Sequence, residues 1–395
     1  MSMDNQDEMP SRPPFWNDPD KRALIFQVIV LAAVFAFFAY IFSNTLQNLE
    51  KRGISTGFDF LNNEAGFGIL MSLIPYDETY TFGRTFLVGL LNTILVSFLG
   101  IILATIIGFL MGVARLSNNW LIAKIATVYI ETFRNIPLLL QILFWYFAML
   151  PLLPHPRQSV NFGDAFFLNS RGFYMPAPVF ESAFVWVMAA LVIAIIAVVI
   201  IVRWAHKRQE QTGQQFHTVW VSLAILVALP FIAYVATGMP LSWNLPELKG
   251  FNFRGGMTII PELAALLLAL SIYTAAFIAE IVRSGIQAVS HGQTEAAHAL
   301  GLRPAKTLQL VIIPQAMRVI IPQLTSQYLN LTKNSSLAAA VGYPDLVAVF
   351  AGTTLNQTGQ AVEIIFMTMM VYLTISLLIS LFMNWYNKKM ALVER

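Results

Sequence analysis

The sequence predicts an all-α, polytopic membrane protein with about eight transmembrane helices. Three observations predict it. Hydrophobic residues make up 57% of the 395 and charged residues 11%, where a soluble domain carries roughly 25% charged residues. The mean hydropathy is +0.66. The apolar residues gather in runs of about 20 or more, the length a helix needs to cross the hydrocarbon core. Lys and Arg are unevenly shared between alternate loops, by about two to one, and that bias sets orientation.

Residues 1–23 are polar, Pro-rich and partly acidic, and read as a cytoplasmic tail with no cleavable leader. The spans follow at 24–43, 85–113, 121–150, 179–203, 218–237, 258–285, 322–342 and 361–386. The first, fourth and last are plain apolar runs. Residues 121–150 are apolar apart from Arg134 and its surroundings, and Pro137 loosens them by removing a backbone hydrogen bond. The spans at 179–203 and 218–237 form a hairpin around the polar linker 206–216. The loops 44–84, 151–178 and 238–257 hold Gly, Pro, Asn and aromatic residues and are expected to include short interfacial helices. With both ends cytoplasmic, the Lys/Arg excess falls on the cytoplasmic side.

The chain thus divides into a tail (1–23), a first span with its periplasmic loop (24–84), a first core segment (85–150), periplasmic loops around an inserted hairpin (151–257) and a second core segment (258–395). There is no cysteine, so no disulfide or thiolate metal site. His155, His206, His217, His291 and His298 are scattered without ligand spacing, so no metal is expected. A net charge of +3 is too small to suggest nucleic acid.

At about 290–318, between two apolar runs, lies a more polar element, Glu295-Ala296-Ala297-His298-Ala-Leu-Gly301, continued through Arg303, Pro304 and Lys306 to Pro314. Glu295 suits the positive end of a helix dipole, with Thr294 as the expected N-cap. Gly301 suits a left-handed helix end. Pro304 is expected to start a second short helix and Pro314 to end it. Such a unit is a rigid knob that another protein can grip. The Glu-Ala-Ala-x-x-x-Gly pattern, trailed by Ile313-Pro-Gln-Ala-Met-Arg-Val-Ile-Ile-Pro322, resembles the cytoplasmic coupling loop of ABC importer permeases.

Further motifs carry the same resemblance in order: Gly89-Leu-Leu-Asn-Thr-Ile-Leu-Val-Ser97, Gly108-Phe-Leu-Met-Gly-Val-Ala-Arg-Leu-Ser117, Phe133-Arg-Asn-Ile-Pro-Leu-Leu-Leu-Gln141, the Tyr273–Ile286 segment and Asn334-Ser-Ser-Leu-Ala338. Together they resemble the histidine/glutamine permease group of polar amino acid ABC importers. The added first span and hairpin make the plan similar to the Q-type subunits of general L-amino acid importers. The resemblance implies a type I ABC importer permease fold in a bacterial inner membrane. It implies a complex with a second homologous permease, two copies of an ATP-binding ATPase and a periplasmic amino-acid-binding protein. The cargo would be polar L-amino acids such as glutamate, glutamine and aspartate. Glu295, Ala296, Ala297, His298, Gly301, Arg303 and Lys306 would form the ATPase-coupling contact. This chain would hold no cofactor, with ATP and Mg on the partner ATPase. Consistent with that, no Gly-x-x-x-x-Gly-Lys-Ser/Thr phosphate cradle is present, since 301–307 lacks the second glycine.

Ionisable groups within a bilayer are costly and mark pathways or buried pairs. Arg134, about ten residues past Lys124, lies ~15 Å deep at the helical rise. Lys333 sits mid-span beside Asn334, Ser335 and Ser336, and Glu280 shares a span with Tyr273 and Thr274. A guanidinium holds an α-carboxylate bidentately and a carboxylate holds an α-ammonium. Arg134 and Glu280 are therefore candidates to line a site for a zwitterionic amino acid. Lys333 is a second cation, and Asn135, Gln141, Thr274, Ser335 and Ser336 are neutral hydrogen-bonders. The alternatives are a structural Arg134–Glu280 or Lys333–Glu280 pair, or a charge facing the partner permease. The Gly108-x-x-x-Gly112 pair favours close helix approach, within the chain or against that partner.

An ion-coupled secondary amino acid transporter would share the spans and buried charges but leaves the Glu-Ala-Ala loop unexplained. A scaffold or enzyme leaves Arg134, Glu280 and Lys333 without a role, and no Ser/His/Asp arrangement of enzymatic character appears.

Overall fold

Long apolar runs fold as helices in a membrane because a helix satisfies its own backbone hydrogen bonds where water is absent. The computed structural model describes residues 18–51, 53 and 56–390, so most of the expected tail lies outside the described residues. The helices are α1 (Pro19–Lys51), α2 (Phe82–Arg115), α3 (Trp120–Asn135), α4 (Leu138–Met149), α5 (Phe184–Thr212), α6 (Thr218–Ala236), α7 (Pro261–Gln287), α8 (His291–Ala299), α9 (Pro304–Thr307), α10 (Ile313–Asn334), α11 (Leu355–Thr358) and α12 (Ala361–Met390). Among the described residues seven helical stretches are long and apolar enough to cross a membrane, eight if α3 and α4 count as one span.

Two expectations change. Residues 121–150 are not one helix: α3 and α4 meet at a 106° bend. Ile136 turns to an extended backbone (φ −99°, ψ 128°) just before Pro137, whose ring disfavours a helical residue ahead of it. Pro314 does not end a helix. It lies in the first turn of α10, behind a π turn at Leu308–Ile312, and the helical path runs on from Pro304 to Val341. The wide turn accommodates a proline that an unbroken α-helix resists.

The loops around the α5–α6 hairpin keep a short helix, a 3-10 turn at Pro156–Gln158, and otherwise differ from expectation. They hold mainly strands: β1 (Val160–Phe162), β2 (Phe166–Asn169), β3 (Gly172–Met175), β4 (Ala177–Phe180), β5 (Leu241–Asn244), β6 (Glu247–Lys249), β7 (Asn252–Arg254) and β8 (Met257–Ile259). Five antiparallel pairings build three small sheets, β1-β2-β3-β8, β4-β5 and β6-β7. Phe173 stands opposite Ile259, and Ala177 opposite Asn244, so the segment before the hairpin pairs with the segment after it. Aromatic residues favour strands, and Phe167 and Tyr174 pack on the ring of Phe253 at 4.5 and 5.0 Å.

The chain divides into two compact units. The described residues up to Leu90 with Leu346–Ile375 form one, cored by Phe60, Phe82, Phe350 and Ile364. Glu363 fastens it by accepting the Gly57 amide at 2.8 Å. Residues Leu91–Asp345 with those from Ser376 onward form the second, and all the candidate functional residues belong to it. There Gly108 and Gly112 pack within the chain, against α7: a Cβ at Gly112 would stand 2.6 Å from Ala279 O and 2.7 Å from Val282 Cβ. Gly285 likewise lets α7 meet Ile320 and Ala316 of α10.

Candidate functional site

The bend between α3 and α4 is held by one side chain. Pro137 has no N–H, so the carbonyl of Phe133, four residues earlier, loses its helical donor. Gln141 Nε2 supplies it, donating to Phe133 O at 3.0 Å and to Ile136 O at 2.9 Å. Gln141 is 3% exposed, and its Oε1 has no hydrogen-bond partner among the described residues. The structure thus gives Gln141 a positioning duty and leaves one buried acceptor at the bend.

Arg134, at the end of α3, lies over the ring of Phe277, 5.4 Å from its centroid, and Tyr273 packs on that ring at 5.0 Å. Its Nε is buried with no partner among the described residues. Arg134 and Glu280 make no direct ion pair there. Glu280 is taken instead by two other cations: Arg115 Nη1 donates to its Oε2 at 2.7 Å, and Arg283 donates to both oxygens. Arg115 Nη2 also reaches Glu131 Oε1 at 3.1 Å. Glu131, Arg115, Glu280 and Arg283 form a chain of alternating sign across α2, α3 and α7. Sequence reasoning singled out Glu280 but missed the other three. Their one signal was position, since Arg115 ends an apolar run and Glu131 precedes Arg134 by less than one turn.

The other candidates are placed as follows. Asn135 is exposed and donates to Glu131 O at 2.6 Å. Thr274 is buried on α7, and Lys333 is exposed. Ser335 and Ser336 donate to Thr332 O and Lys333 O, both at 2.7 Å, where α10 gives way to a 3-10 stretch at Ser335–Val341. Lys333 makes no ion pair with Glu280.

The second cluster is α8. It starts four residues before Glu295, after Ser290, so Thr294 is inside the helix and does not cap it. Glu295 consequently lies beyond the first turn and pairs instead with His291 one turn back, at 3.1 Å. The far end forms as expected. Gly301 takes φ +77°, Gly301 N donates to His298 O at 2.9 Å and Leu302 N to Ala297 O at 3.1 Å, the paired bonds of a Schellman motif. Ala297 is buried beneath the element, while Glu295, Ala296, His298, Arg303 and Lys306 are exposed and Leu300 is 82% exposed. A stiff knob of about two and a half turns, seated on an alanine and tipped by a bare leucine, is suited to insertion into a partner's groove.

The sequence profile described as "Binding-protein-dependent transport system inner membrane component" matches residues 104–392. The chain belongs to that family. It is a multi-pass membrane permease, and amino-acid ABC permeases are similar to it over nearly the whole length. AapQ of Rhizobium johnstonii, a general L-amino acid transport system permease protein, is 54% identical over 378 residues, covering 96% of this chain and 94% of that one. BztB of Rhodobacter capsulatus, a glutamate/glutamine/aspartate/asparagine transport system permease protein, is 46% identical over 405 residues, covering 95% of each. YhdX of Escherichia coli K12, whose naming as an amino-acid ABC transporter permease is provisional, is 57% identical over 378 residues and 96% of each chain. These lengths take in the first span and the hairpin of this permease as well as its core.

Proposed function

We propose that this permease moves polar L-amino acids, such as glutamate, glutamine and aspartate, from the periplasm to the cytoplasm by alternating access, driven by a separate ATPase. A second homologous permease completes the passage, a periplasmic binding protein delivers the cargo, and two ATPase copies bind ATP and Mg. This chain has no ATPase site of its own, and both termini face the cytoplasm. The observation that carries the reading is the exposed, Schellman-closed α8 in a chain of this family: Glu295, Ala296, His298, Gly301, Arg303 and Lys306 present one rigid surface to the ATPase, seated on the buried Ala297. An ion-coupled carrier has no use for such a handle.

Inside the second unit, Arg134 is the cation best placed for an α-carboxylate, because Phe277 supports its guanidinium while its Nε is left without a partner. The free Gln141 Oε1 offers an acceptor at the same bend. Thr274, Asn135, Ser335, Ser336 and Lys333 are the remaining proposed contacts, and Glu280 contributes negative charge while bound by Arg115 and Arg283. The test is reconstitution of the permease with its ATPase, second permease and binding protein in proteoliposomes. Uptake of labelled glutamate or glutamine should require ATP and be lost when residues 294–303 are deleted. Uptake driven by an ion gradient with the permease alone would refute the reading.

A further inference from the structure

The coupling helix is tied at both ends to helices that have little freedom to slide. On its N-terminal side three backbone hydrogen bonds hold the link from α7: Ala288 N to Ser284 O, Val289 N to Ile286 O and Gln293 N to Ser290 O, at 2.9–3.3 Å. On its C-terminal side the Schellman turn leads directly into α9, and Gln315 Nε2 of α10 reaches back to Gln293 Oε1 at 3.2 Å. Helix α7 in turn approaches α2 at Gly108 and Gly112 and α10 at Gly285, at all three so closely that a Cβ would meet a neighbour at 2.6 Å or less. Interlocked packing of this kind is bistable and resists gradual sliding. Beyond Gly112, where the glycine contacts stop, the charge chain Glu131–Arg115–Glu280–Arg283 continues the join to the end of α7.

Resting on the reading of α8 as the ATPase handle, we propose that Arg115 is a positioning residue for coupling. It locks the end of α2 and the start of the α2–α3 corner to α7, so that a push on α8 turns these helices as one lever. Arg115 suits this role because a guanidinium forks between two acceptors, here Glu280 on α7 and Glu131 on α3. Without Arg115, Glu280 keeps its ion pair with Arg283 on its own helix, and the ion-pair tie from α7 to α2 and α3 is lost.

Two measurements on the reconstituted complex test this. The chain has no cysteine, so spin labels on Asn118→Cys, after α2, and Ala288→Cys, after α7, are unique within it, and both positions are exposed. The label-to-label distance should stay within about 2 Å between the nucleotide-free and ATP-trapped states. A change beyond about 5 Å, one helical turn, would overturn the lever. In the second measurement, Arg115→Gln should keep ATP hydrolysis but lower the amino acids moved per ATP at least about fivefold, the low end of inter-site coupling, and Arg115→Lys should restore part of the ratio. A wild-type ratio in Arg115→Gln would overturn the role of Arg115. The unmodified complex is measured first: if it hydrolyses ATP and moves no amino acid, the import reading fails, whatever the labels show.

Discussion

Gln141 Nε2 donates to the carbonyl of Phe133 at 3.0 Å, replacing the helical hydrogen bond that Pro137 cannot make. A side chain four residues past the proline thus closes the gap opened four residues before it. The same amide also satisfies Ile136 O, so both carbonyls keep a donor at the 106° bend.

Gln141→Leu should therefore loosen the bend. Each buried carbonyl left without a donor costs ~1–3 kcal/mol, more than the added apolar contact of leucine returns. The purified permease should melt several degrees lower in detergent. Gln141→Glu, which keeps the shape but offers no amide hydrogens, should fall nearly as far. A melting point equal to wild type in both variants would show that the bend holds itself.

Gly112→Ala tests the close approach of α2 to α7. In an exposed helix the change stabilises by up to ~1 kcal/mol. Here the new methyl would stand 2.6 Å from Ala279 O, a backbone atom that cannot rotate away. Overpacking of this kind costs ~1–3 kcal/mol, so the sign reverses and the variant should melt below wild type.

Most of the membrane plan was legible in the sequence because it follows from backbone satisfaction alone: a run of apolar residues long enough to cross lipid has one good conformation. Arg134 and Pro137 marked the third span as irregular, yet the size of the bend was not legible, since it depends on a side chain reaching over the break. The strands around the hairpin escaped notice because each has three or four residues, and two of the pairings reach across two spans, as with Phe173 and Ile259. The partner of Glu280 on another helix was out of reach for a similar reason, with Arg115 separated from it by 165 residues. The α8 knob was nearly readable. Gly301 marked its end, while the start was misplaced because Ser290 offers no side-chain hydrogen bond to mark it.

Gly301→Asn, Gly301→Ala and Gly301→Val separate backbone strain from packing. A Cβ at Gly301 meets nothing within 4 Å, so only the left-handed backbone matters. Non-glycine residues pay ~1–3 kcal/mol there, β-branched ones most and asparagine least. Coupled ATP hydrolysis should thus fall in the order Asn, Ala, Val, while the melting point of the isolated permease changes little because an exposed helix end relieves the strain by opening locally. Equal coupling across the three would remove the Schellman turn from the mechanism.

Arg134 gives the sharpest test of the proposed cargo contact. Arg134→Lys keeps the positive charge but loses the planar fork and its stacking on Phe277. Arg134→Ala loses all of them. A charge-assisted hydrogen bond to a carboxylate contributes ~1.5–3 kcal/mol, so uptake at low amino acid concentration should drop roughly 10- to 100-fold in Arg134→Ala and by a smaller factor in Arg134→Lys. The loss belongs to the amino acid's carboxylate only if basal ATP hydrolysis and the copurifying subunits are unchanged. Uptake kinetics with glutamate and with its α-amide check this directly: the wild type should prefer the free acid, and Arg134→Ala should lose that preference. Retained preference would assign Arg134 to helix packing against Phe277 instead.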